Sequence, residues 1–298
     1  MNPDAPRAFV LTGPTASGKS ALAQQYAERT GAPVISADSM NIYRRMNIGT
    51  AKPTPAERGA TQYYGIDLAE PTEPYSVGDW LNAVAPAFKN IPVVAGGTGL
   101  YVKCLLQGLD KLPAANSGLR ERAEKMTLEE LQTAAQTAAP AEYENLADKE
   151  NPRRLIRLLE KEKTASTSSA WEKNPLPKIV GLHVEREILH RRIAARVEKM
   201  YANGLLDEAE QLFKLNLSST AQHAIGYAEA FAVLRGEMKL TAAKEKTIIR
   251  TRQLAKRQMT WFRHQLNVEW IDAAAPAEKI FAALEAAGAV PAQGIIYH

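Results

Sequence analysis

The feature that most constrains the fold is residues 13–20, GPTASGKS, which match the pattern G-x-x-x-x-G-K-[ST] of a phosphate-binding loop. An apolar run at residues 8–11 is typical of a buried strand, and the residues from Ala21 onward favour a helix. In a strand–loop–helix unit, the backbone N–H groups of the loop and of the helix N-terminus point at an anion. Lys19 adds a mobile cation, and the Ser20 hydroxyl is an expected ligand of Mg²⁺. The stretch therefore predicts a site for a diphosphate or a triphosphate.

Further short apolar runs alternate with helix-forming segments. Strands are predicted at residues 34–37, 64–68, 91–95, 178–184 and 268–271. Helices are predicted at residues 77–89, 100–107, 186–202, 205–215, 226–235 and 241–264. The alternation is typical of a parallel sheet with helical crossovers. The expected fold class is therefore α/β, with a P-loop NTPase-like parallel sheet core and a helical C-terminal part.

The character of the chain changes in its middle. Residues 119–163 contain almost no strand signal, are rich in Ala, Glu, Leu and Arg, and have helical apolar spacing. Thr127 and Glu130 have the spacing of a capping box at a helix start. We expect residues 112–173 to form a helical insertion domain, and residues 1–111 and 174–298 to form the P-loop core domain.

Composition limits the class of protein. The one cysteine, Cys104, excludes an intramolecular disulfide framework, and the five histidines lack zinc-ligand spacing with it. The first residues have no signal-peptide pattern, and no apolar run approaches the ~20 residues of a membrane span. We therefore expect a cytoplasmic protein with no membrane partner. The net charge of +4 is a weak hint of a polyanionic partner.

Two polar side chains follow predicted strands at the edge of the sheet that carries the phosphate loop. Asp38 comes after the strand at residues 34–37, and Thr98 lies in the turn GGTGLY, after the strand at residues 91–95. Ligands of α/β proteins bind at this edge. From its position alone, Asp38 fits two roles equally well, a carboxylate of the Mg²⁺ shell or a general base that takes a proton from a nucleophile. The turn is either part of the site or an ordinary tight turn.

The predicted helix at residues 241–264 is strongly basic, because Glu245 is the only acidic residue among many lysines and arginines between residues 244 and 263. Its main cations fall on two neighbouring stripes, Lys246, Arg250 and Arg257 on one and Arg252, Lys256 and Arg263 on the other. Such an asymmetry fits a row of phosphates, and a solvated helix face is an equal alternative. Leu254 and Trp261 point elsewhere, toward a core. For Met259, Trp261 and Phe262, a place in a core is more usual than a role in stacking on bases.

Together these motifs resemble a known family, the P-loop isopentenyltransferases that modify tRNA, or tRNA dimethylallyltransferases. The matching blocks are the phosphate loop, Asp38-Ser39, Tyr43-Arg44, IGTAKP at residues 48–53, GGTGLY at residues 96–101, PRRLIRLLE at residues 152–160, IGY at residues 225–227 and TRQLAKRQMTWFR at residues 251–263. They stand in family order, and the resemblance covers residues 8–272. The phosphate loop alone would not identify the family, whereas the set is highly specific.

The resemblance implies transfer of a dimethylallyl group from dimethylallyl diphosphate to N6 of the adenosine just 3′ of the tRNA anticodon, with Mg²⁺ as cofactor. Asp38 is then the general base, and Thr98 lines the reaction channel. The implied diphosphate-binding residues are Gly13, Pro14, Thr15, Ala16, Ser17, Gly18, Lys19 and Ser20, of which Ser20 binds the metal. The implied contacts with the anticodon stem-loop are Asp38, Ser39, Met40, Asn41, Arg120, Arg153, Arg154, Leu155, Ile156, Arg157, His223, Lys256, Arg257, Gln258, Met259, Thr260, Trp261, Phe262 and Arg263. A monomer is expected.

Four positions depart from the common family pattern: Asn41, where Gln is usual, the pair Tyr63-Tyr64 in place of two histidines, Asn151 in place of Asp, and His223 in place of Gln or Arg. None of them removes the base or the phosphate loop. Two other functions remain alternatives. One is an isopentenyltransferase of free adenine nucleotide, which would not need the basic insertion or the basic helix. The other is a P-loop kinase or a nucleic-acid-binding NTPase, whose lid and hydrolytic machinery are not found in the sequence.

Overall fold

The computed structural model describes residues 6–109, 117–123, 125–146, 148–161, 171 and 174–295, without the side chains of residues 117, 120, 121, 153 and 161. The chain forms two compact units, residues 1–108 with 176–298, and residues 109–175. Within the described residues, every helix is too short or too polar to cross a lipid bilayer.

The strands that the structure describes form one seven-stranded sheet in the first unit. They are β1 (Arg7–Thr12), β2 (Val34–Ser36), β3 (Tyr63–Tyr64), β4 (Val93–Gly96), β5 (Lys178–His183), β6 (Asn267–Asp272) and β7 (Val290–Pro291). Six of them are parallel in the order β3-β2-β4-β1-β5-β6, and β7 pairs antiparallel with β1. The sheet confirms the predicted α/β class, while β7 was not predicted.

The α-helices of the first unit that precede the second unit in the chain are α1 (Lys19–Thr30), α2 (Pro55–Arg58), α3 (Val77–Val84) and α4 (Gly99–Gln107). Those that follow the second unit are α9 (Arg186–Ala202), α10 (Leu205–Phe213), α11 (Ser219–Gln222), α12 (Tyr227–Leu234), α13 (Leu240–Gln265) and α14 (Ala277–Ala287). Helices α1 and α14 cover the sheet, where Tyr26, Phe281 and Leu284 pack on the strands. Leu11 and Val93 in the strands have no exposed surface. Burial of one such side chain stabilises the fold by about 1.5–3 kcal/mol.

The strand register brings the predicted site residues to one edge of the sheet. In the parallel pairing of β1 with β4, Thr12 lies beside Gly96, and Leu11 lies beside Ala95. Ala95 also pairs with Ser36 of β2. Because parallel strands end at the same edge, the segments after Thr12, Ser36 and Gly96 meet there. These segments are the phosphate loop, the Asp38 loop and the Thr98 turn.

Two elements are shorter than predicted by three residues or more. The strand expected at residues 64–68 ends at Tyr64, because Gly65 and Asp67 have φ angles of 80° and 53°, which interrupt an extended conformation. The helix expected at residues 77–89 ends as an α-helix at Val84 and continues as a 3₁₀ helix, Ala85–Lys89. Pro86 lies in that segment and has no N–H to donate to the preceding turn.

The second unit is helical in its described residues, which form α5 (Ser117–Ala123), α6 (Leu128–Ala138), α7 (Pro140–Glu144) and α8 (Pro152–Lys161). The predicted capping box begins α6, where the Thr127 side chain accepts a hydrogen bond from the Glu130 backbone and Glu130 reaches back to the Thr127 N–H. The unit has its own apolar core, in which Leu131, Tyr143, Leu155 and Leu158 pack together.

Candidate active site

The phosphate loop has the geometry that its sequence predicts. It leaves β1 at Thr12 and leads into α1 at Lys19. Gly18 has a φ of 92°, a conformation that side-chain-bearing residues rarely adopt, and Ala16 also has a positive φ of 62°. The Lys19 ammonium group is buried and donates to the carbonyl of Pro14 at 3.1 Å. Burial lowers the pKa of Lys19 to about 8, and the Asp38 carboxylate partly opposes this effect.

The structure brings Asp38 and Thr98 together beside this loop. The Thr98 N–H donates to the carbonyl of Ala37 at 3.1 Å, which joins the turn after β4 to the end of β2. The Thr98 hydroxyl accepts from the Ser39 N–H at 3.0 Å and donates to the Ser39 hydroxyl at 3.3 Å. One Asp38 carboxylate oxygen accepts from the Met40 N–H at 2.9 Å, and Asp38 remains half-buried. The Asp38 charge influences the pKa of Lys19, so the two charged groups share one electrostatic environment.

Two arginines that the sequence analysis did not assign to the site extend toward the phosphate loop from α9. Arg192 donates to the carbonyl of Ser17 at 3.4 Å. Arg196 donates to the carbonyl of Thr50 at 3.2 Å, and burial lowers its pKa while the Asp38 carboxylate opposes that shift. Their spacing of four residues puts both on one face of the helix that follows β5. The four-residue spacing of these two arginines in a predicted helix is the sequence signal that could have identified them.

The long helix α13 is attached to both Gly-rich loops. The Gln258 side-chain carbonyl accepts from the Thr15 N–H at 2.8 Å, and its amide nitrogen donates to the carbonyl of Gly97 at 2.9 Å. Three residues further along the helix, Trp261 lies so close to Gly99 that a Cβ at Gly99 would overlap the indole ring. Gln258 and Trp261 therefore hold α13 against the phosphate loop and the Thr98 turn, a position that the resemblance did not assign to them.

The predicted tRNA-contacting block at residues 256–263 is divided among several faces of α13. Its exposed members are Lys256, Arg257, Thr260 and Arg263, and Met259 is half-buried. Phe262 has no exposed surface and packs near Trp270, with ring centroids 6.4 Å apart. We therefore correct the assignment of Phe262, which is a core residue. A further correction concerns Arg250, which pairs with the buried Glu229 and donates to the carbonyl of His223 at 3.1 Å. It is not available for a row of phosphates.

The other predicted RNA contacts have mixed surroundings. In the second unit, Arg154 is exposed, Ile156 is half-buried, and Arg157 pairs with Glu160 at 2.7 Å. Leu155 has no exposed surface, so its assignment is also corrected to the core. The side chains of Arg120 and Arg153 lie outside the described part of the structure.

The remaining predicted contacts lie in the first unit. His223 is exposed, and its Nδ1 contacts the carbonyl of Ser219 at 2.8 Å. Ser39 and Met40 are half-buried beside Asp38. Asn41 is buried and donates to the Ser36 hydroxyl at 3.2 Å. Its amide therefore braces the end of β2.

The motif IGTAKP at residues 48–53 is held by partly buried polar contacts. The Glu208 carboxylate accepts from the Ile48 N–H at 2.9 Å, and the Tyr227 hydroxyl donates to Glu208 at 2.5 Å. The Gly49 N–H donates to the Tyr227 hydroxyl at 3.2 Å. The network joins this motif to the motif IGY at residues 225–227. The Thr50 carbonyl of the same motif accepts from Arg196, so the network also holds in place the loop that contacts this arginine.

Comparison with known proteins gives consistent matches over most of the chain. A family model described as IPP transferase matches residues 41–265, and one described as isopentenyl transferase matches residues 6–67. A tRNA dimethylallyltransferase of Bacillus velezensis is 37% identical over 294 residues, with 90% of this chain and 91% of the relative covered. One of Syntrophobacter fumaroxidans is 36% identical over 293 residues, with 89% and 83% covered. The crystal structure of a tRNA isopentenylpyrophosphate transferase from Bacillus halodurans has 31% identity, a TM-score of 0.69, and coverage of 94% of this chain and 95% of its own.

Proposed function

Since the chain belongs to the IPP transferase family, we propose that it transfers a dimethylallyl group from dimethylallyl diphosphate to N6 of the adenosine 3′ of a tRNA anticodon. The observation that carries the proposal is the meeting of Asp38 and Thr98 beside the phosphate loop and Lys19. A base and a diphosphate site at one sheet edge are what this transfer needs. We further propose a cytoplasmic location, which the tRNA substrate supports, and a monomer, since the proposed reaction needs no residue from a second copy.

The acid–base part of the reaction falls to Asp38. The exocyclic amine of adenine is a poor nucleophile, because its lone pair is delocalised into the ring. As the new C–N bond forms, the C–O bond to the diphosphate breaks, and the amine proton moves to the Asp38 carboxylate. A general base in position accelerates such a step by about 10²–10⁴-fold. Thr98 fixes the Asp38 loop through Ser39 and lines the space beside the base.

The phosphate loop would stabilise the leaving group. Backbone N–H groups at the start of α1, the Lys19 ammonium group, and the guanidinium groups of Arg192 and Arg196 supply positive charge at this edge. Because this loop holds the group that leaves, the transferred hydrocarbon lies on the other side of the breaking bond. A kinase would use the same loop to hold the group that is transferred.

We propose Mg²⁺ as the cofactor, with Ser20 as its protein ligand. Among the described residues, no cluster of three or more His, Cys, Asp or Glu side chains is arranged to hold a metal. A single serine hydroxyl as protein ligand fits Mg²⁺, which usually keeps several waters and binds substrate phosphates together with one or two protein groups. Ser20 is exposed at the first turn of α1, where its hydroxyl is available to such an ion. The ion would neutralise charge on the departing diphosphate.

The tRNA affinity is expected to fall steeply with salt concentration. The exposed cations Arg154, Lys256, Arg257 and Arg263 can each neutralise a phosphate and release a counterion. Filter binding of an unmodified tRNA across a salt series measures the slope of log affinity against log salt. A flat dependence would instead favour the enzyme that modifies free adenine nucleotide.

The reaction itself is tested by mass spectrometry of an unmodified tRNA after incubation with the protein, dimethylallyl diphosphate and Mg²⁺. The expected product carries one added dimethylallyl unit on a single adenosine beside the anticodon. Parallel reactions contain AMP in place of tRNA, and ATP in place of the donor. Prenylated AMP without modified tRNA would support the free-nucleotide enzyme, and hydrolysis of ATP would support the kinase or NTPase class.

A further inference from the structure

A cavity of about 550 Å³ borders the phosphate loop at Pro14 and is separate from the reacting groups. It lies where β5 ends at His183 and α9 begins, and α13 forms its long wall. Asp38, Thr98 and Lys19 do not line it. A cavity of this size holds a nucleotide-sized molecule. The residues that line it therefore differ from those that surround the reacting groups.

The polar lining of the cavity is strongly cationic. Arg186 extends from α9, and Arg252, Lys256 and Arg263 extend from α13, while none of the described lining residues is acidic. The Nε atom of Arg252 is buried and has no hydrogen-bond partner among the described residues. A buried guanidinium N–H without a partner is costly unless a ligand accepts from it. Both features point to an anion.

The same positive charge affects the pKa of a histidine in the cavity wall. His190 lines the cavity, and burial together with Arg252 and Arg186 lowers its pKa. Glu185 and Glu187 act in the opposite direction and do not cancel the shift. An anion bound beside His190 would favour the protonated imidazole, so its pKa would rise on binding.

Apart from one glutamine and two histidines, the rest of the lining is apolar. Val184 and Leu189 are buried at the floor, Met259 is half-buried, and the Ile249 side chain is unusually exposed for an apolar residue, at 52%. A flat base could cover Ile249 and Met259 while its phosphate reaches Arg252. An anion without an apolar body would leave this surface in water.

We propose that this cavity binds a nucleoside phosphate, with the phosphate at Arg252 and the base against Ile249 and Met259. The nucleotide can come from two sources, an unstacked nucleotide of the acceptor RNA or a free nucleotide. The RNA source rests on the proposed function, since splayed loop nucleotides are the usual targets of RNA-binding pockets. The site adds Arg186, His190 and Arg252 to the residues that contact nucleic acid or nucleotide.

The experiment measures the pKa of His190 by NMR in the full chain, alone, with AMP, and with an unmodified anticodon stem-loop RNA. Binding is measured in the same samples for the wild type, Arg252→Gln, Arg252→Lys and a control, Lys239→Gln. Lys239 is exposed at the start of α13, does not line the cavity, and its replacement removes the same charge. We expect Arg252→Gln to weaken binding at least about tenfold, Arg252→Lys to restore part of it, and Lys239→Gln to change it less than about twofold.

The two sources give different results. A rise in the His190 pKa with AMP identifies a free nucleotide, and a rise with the stem-loop alone identifies an RNA nucleotide. No rise with either probe, or unchanged binding in a folded Arg252→Gln variant, would overturn the proposal. If that variant does not fold, the His190 titration of the wild type still decides. Loss of dimethylallyl transfer with these binding results intact would count against the proposed function alone.

Discussion

Replacement of Asp38 by Asn is expected to reduce dimethylallyl transfer by about 10²–10⁴-fold, because the amide cannot accept the proton that the attacking amine must lose. The variant preserves the local structure, since the Asn side-chain oxygen can still accept the Met40 N–H bond that holds the loop. Affinity for tRNA should therefore stay within about twofold of the wild type. Single-turnover rates with saturating donor and tRNA measure the step directly, apart from product release.

A matched control is Asp207→Asn, which removes an exposed carboxylate in the same unit, at the first turn of α10. It should leave both the rate and the tRNA affinity close to those of the wild type. Near-normal turnover in Asp38→Asn would exclude this residue as the general base. Lost tRNA binding would show instead that the carboxylate acts mainly as an RNA contact.

The sheet edge at which Asp38 and Thr98 meet could be predicted from the sequence because each residue follows a short apolar run. Parallel strands carry their carboxyl ends to one edge, so the order of runs and polar residues is enough to bring the segments together. The phosphate loop was located by its motif together with the apolar run before it. Reading an apolar run as a strand failed for residues 64–68, since the left-handed φ angles of Gly65 and Asp67 are set by the surrounding contacts. Beside this segment, the Trp80 ring nitrogen donates to the Ser36 carbonyl, and the backbone of Gly65 passes close to both groups.

The helical parts of the site were harder to predict, because sequence spacing gives the face of a helix but not the neighbour it meets. Arg192 reaches the phosphate loop at Ser17, and Arg196 reaches Thr50, because of the way α9 packs against α13. Gln258 is polar and lies within a basic segment, yet its amide bridges the Thr15 N–H and the Gly97 carbonyl. A motif matched as one block, such as residues 256–263, therefore mixes core residues, surface residues and residues that contact the Gly-rich loops.

Replacement of Lys19 by Met is expected to weaken binding of dimethylallyl diphosphate by at least about 10²-fold, because the buried ammonium group would face the diphosphate and methionine carries no charge in its place. Isothermal titration with the donor and Mg²⁺ measures this loss without any need for tRNA. Lys19→Arg serves as a second variant, since it keeps a charge that does not titrate in the accessible range. Unchanged donor affinity in Lys19→Met would contradict the role of residues 13–20 as the diphosphate site.

The pH dependence of donor binding gives a separate test of Lys19. Because burial lowers the pKa of Lys19 to about 8 in the free protein, the ammonium form is complete well below that pH and is lost as the pH rises through it. If only the charged form binds, donor affinity falls by up to about tenfold for each further pH unit. A bound diphosphate raises the pKa of Lys19, so the rate at saturating donor should persist to higher pH than kcat/KM does. Lys19→Arg should bind more weakly but lose this dependence, because its cation persists across the range. A wild-type affinity that stays level from about pH 7 to about pH 9 would show that Lys19 either keeps its proton or does not contact the donor.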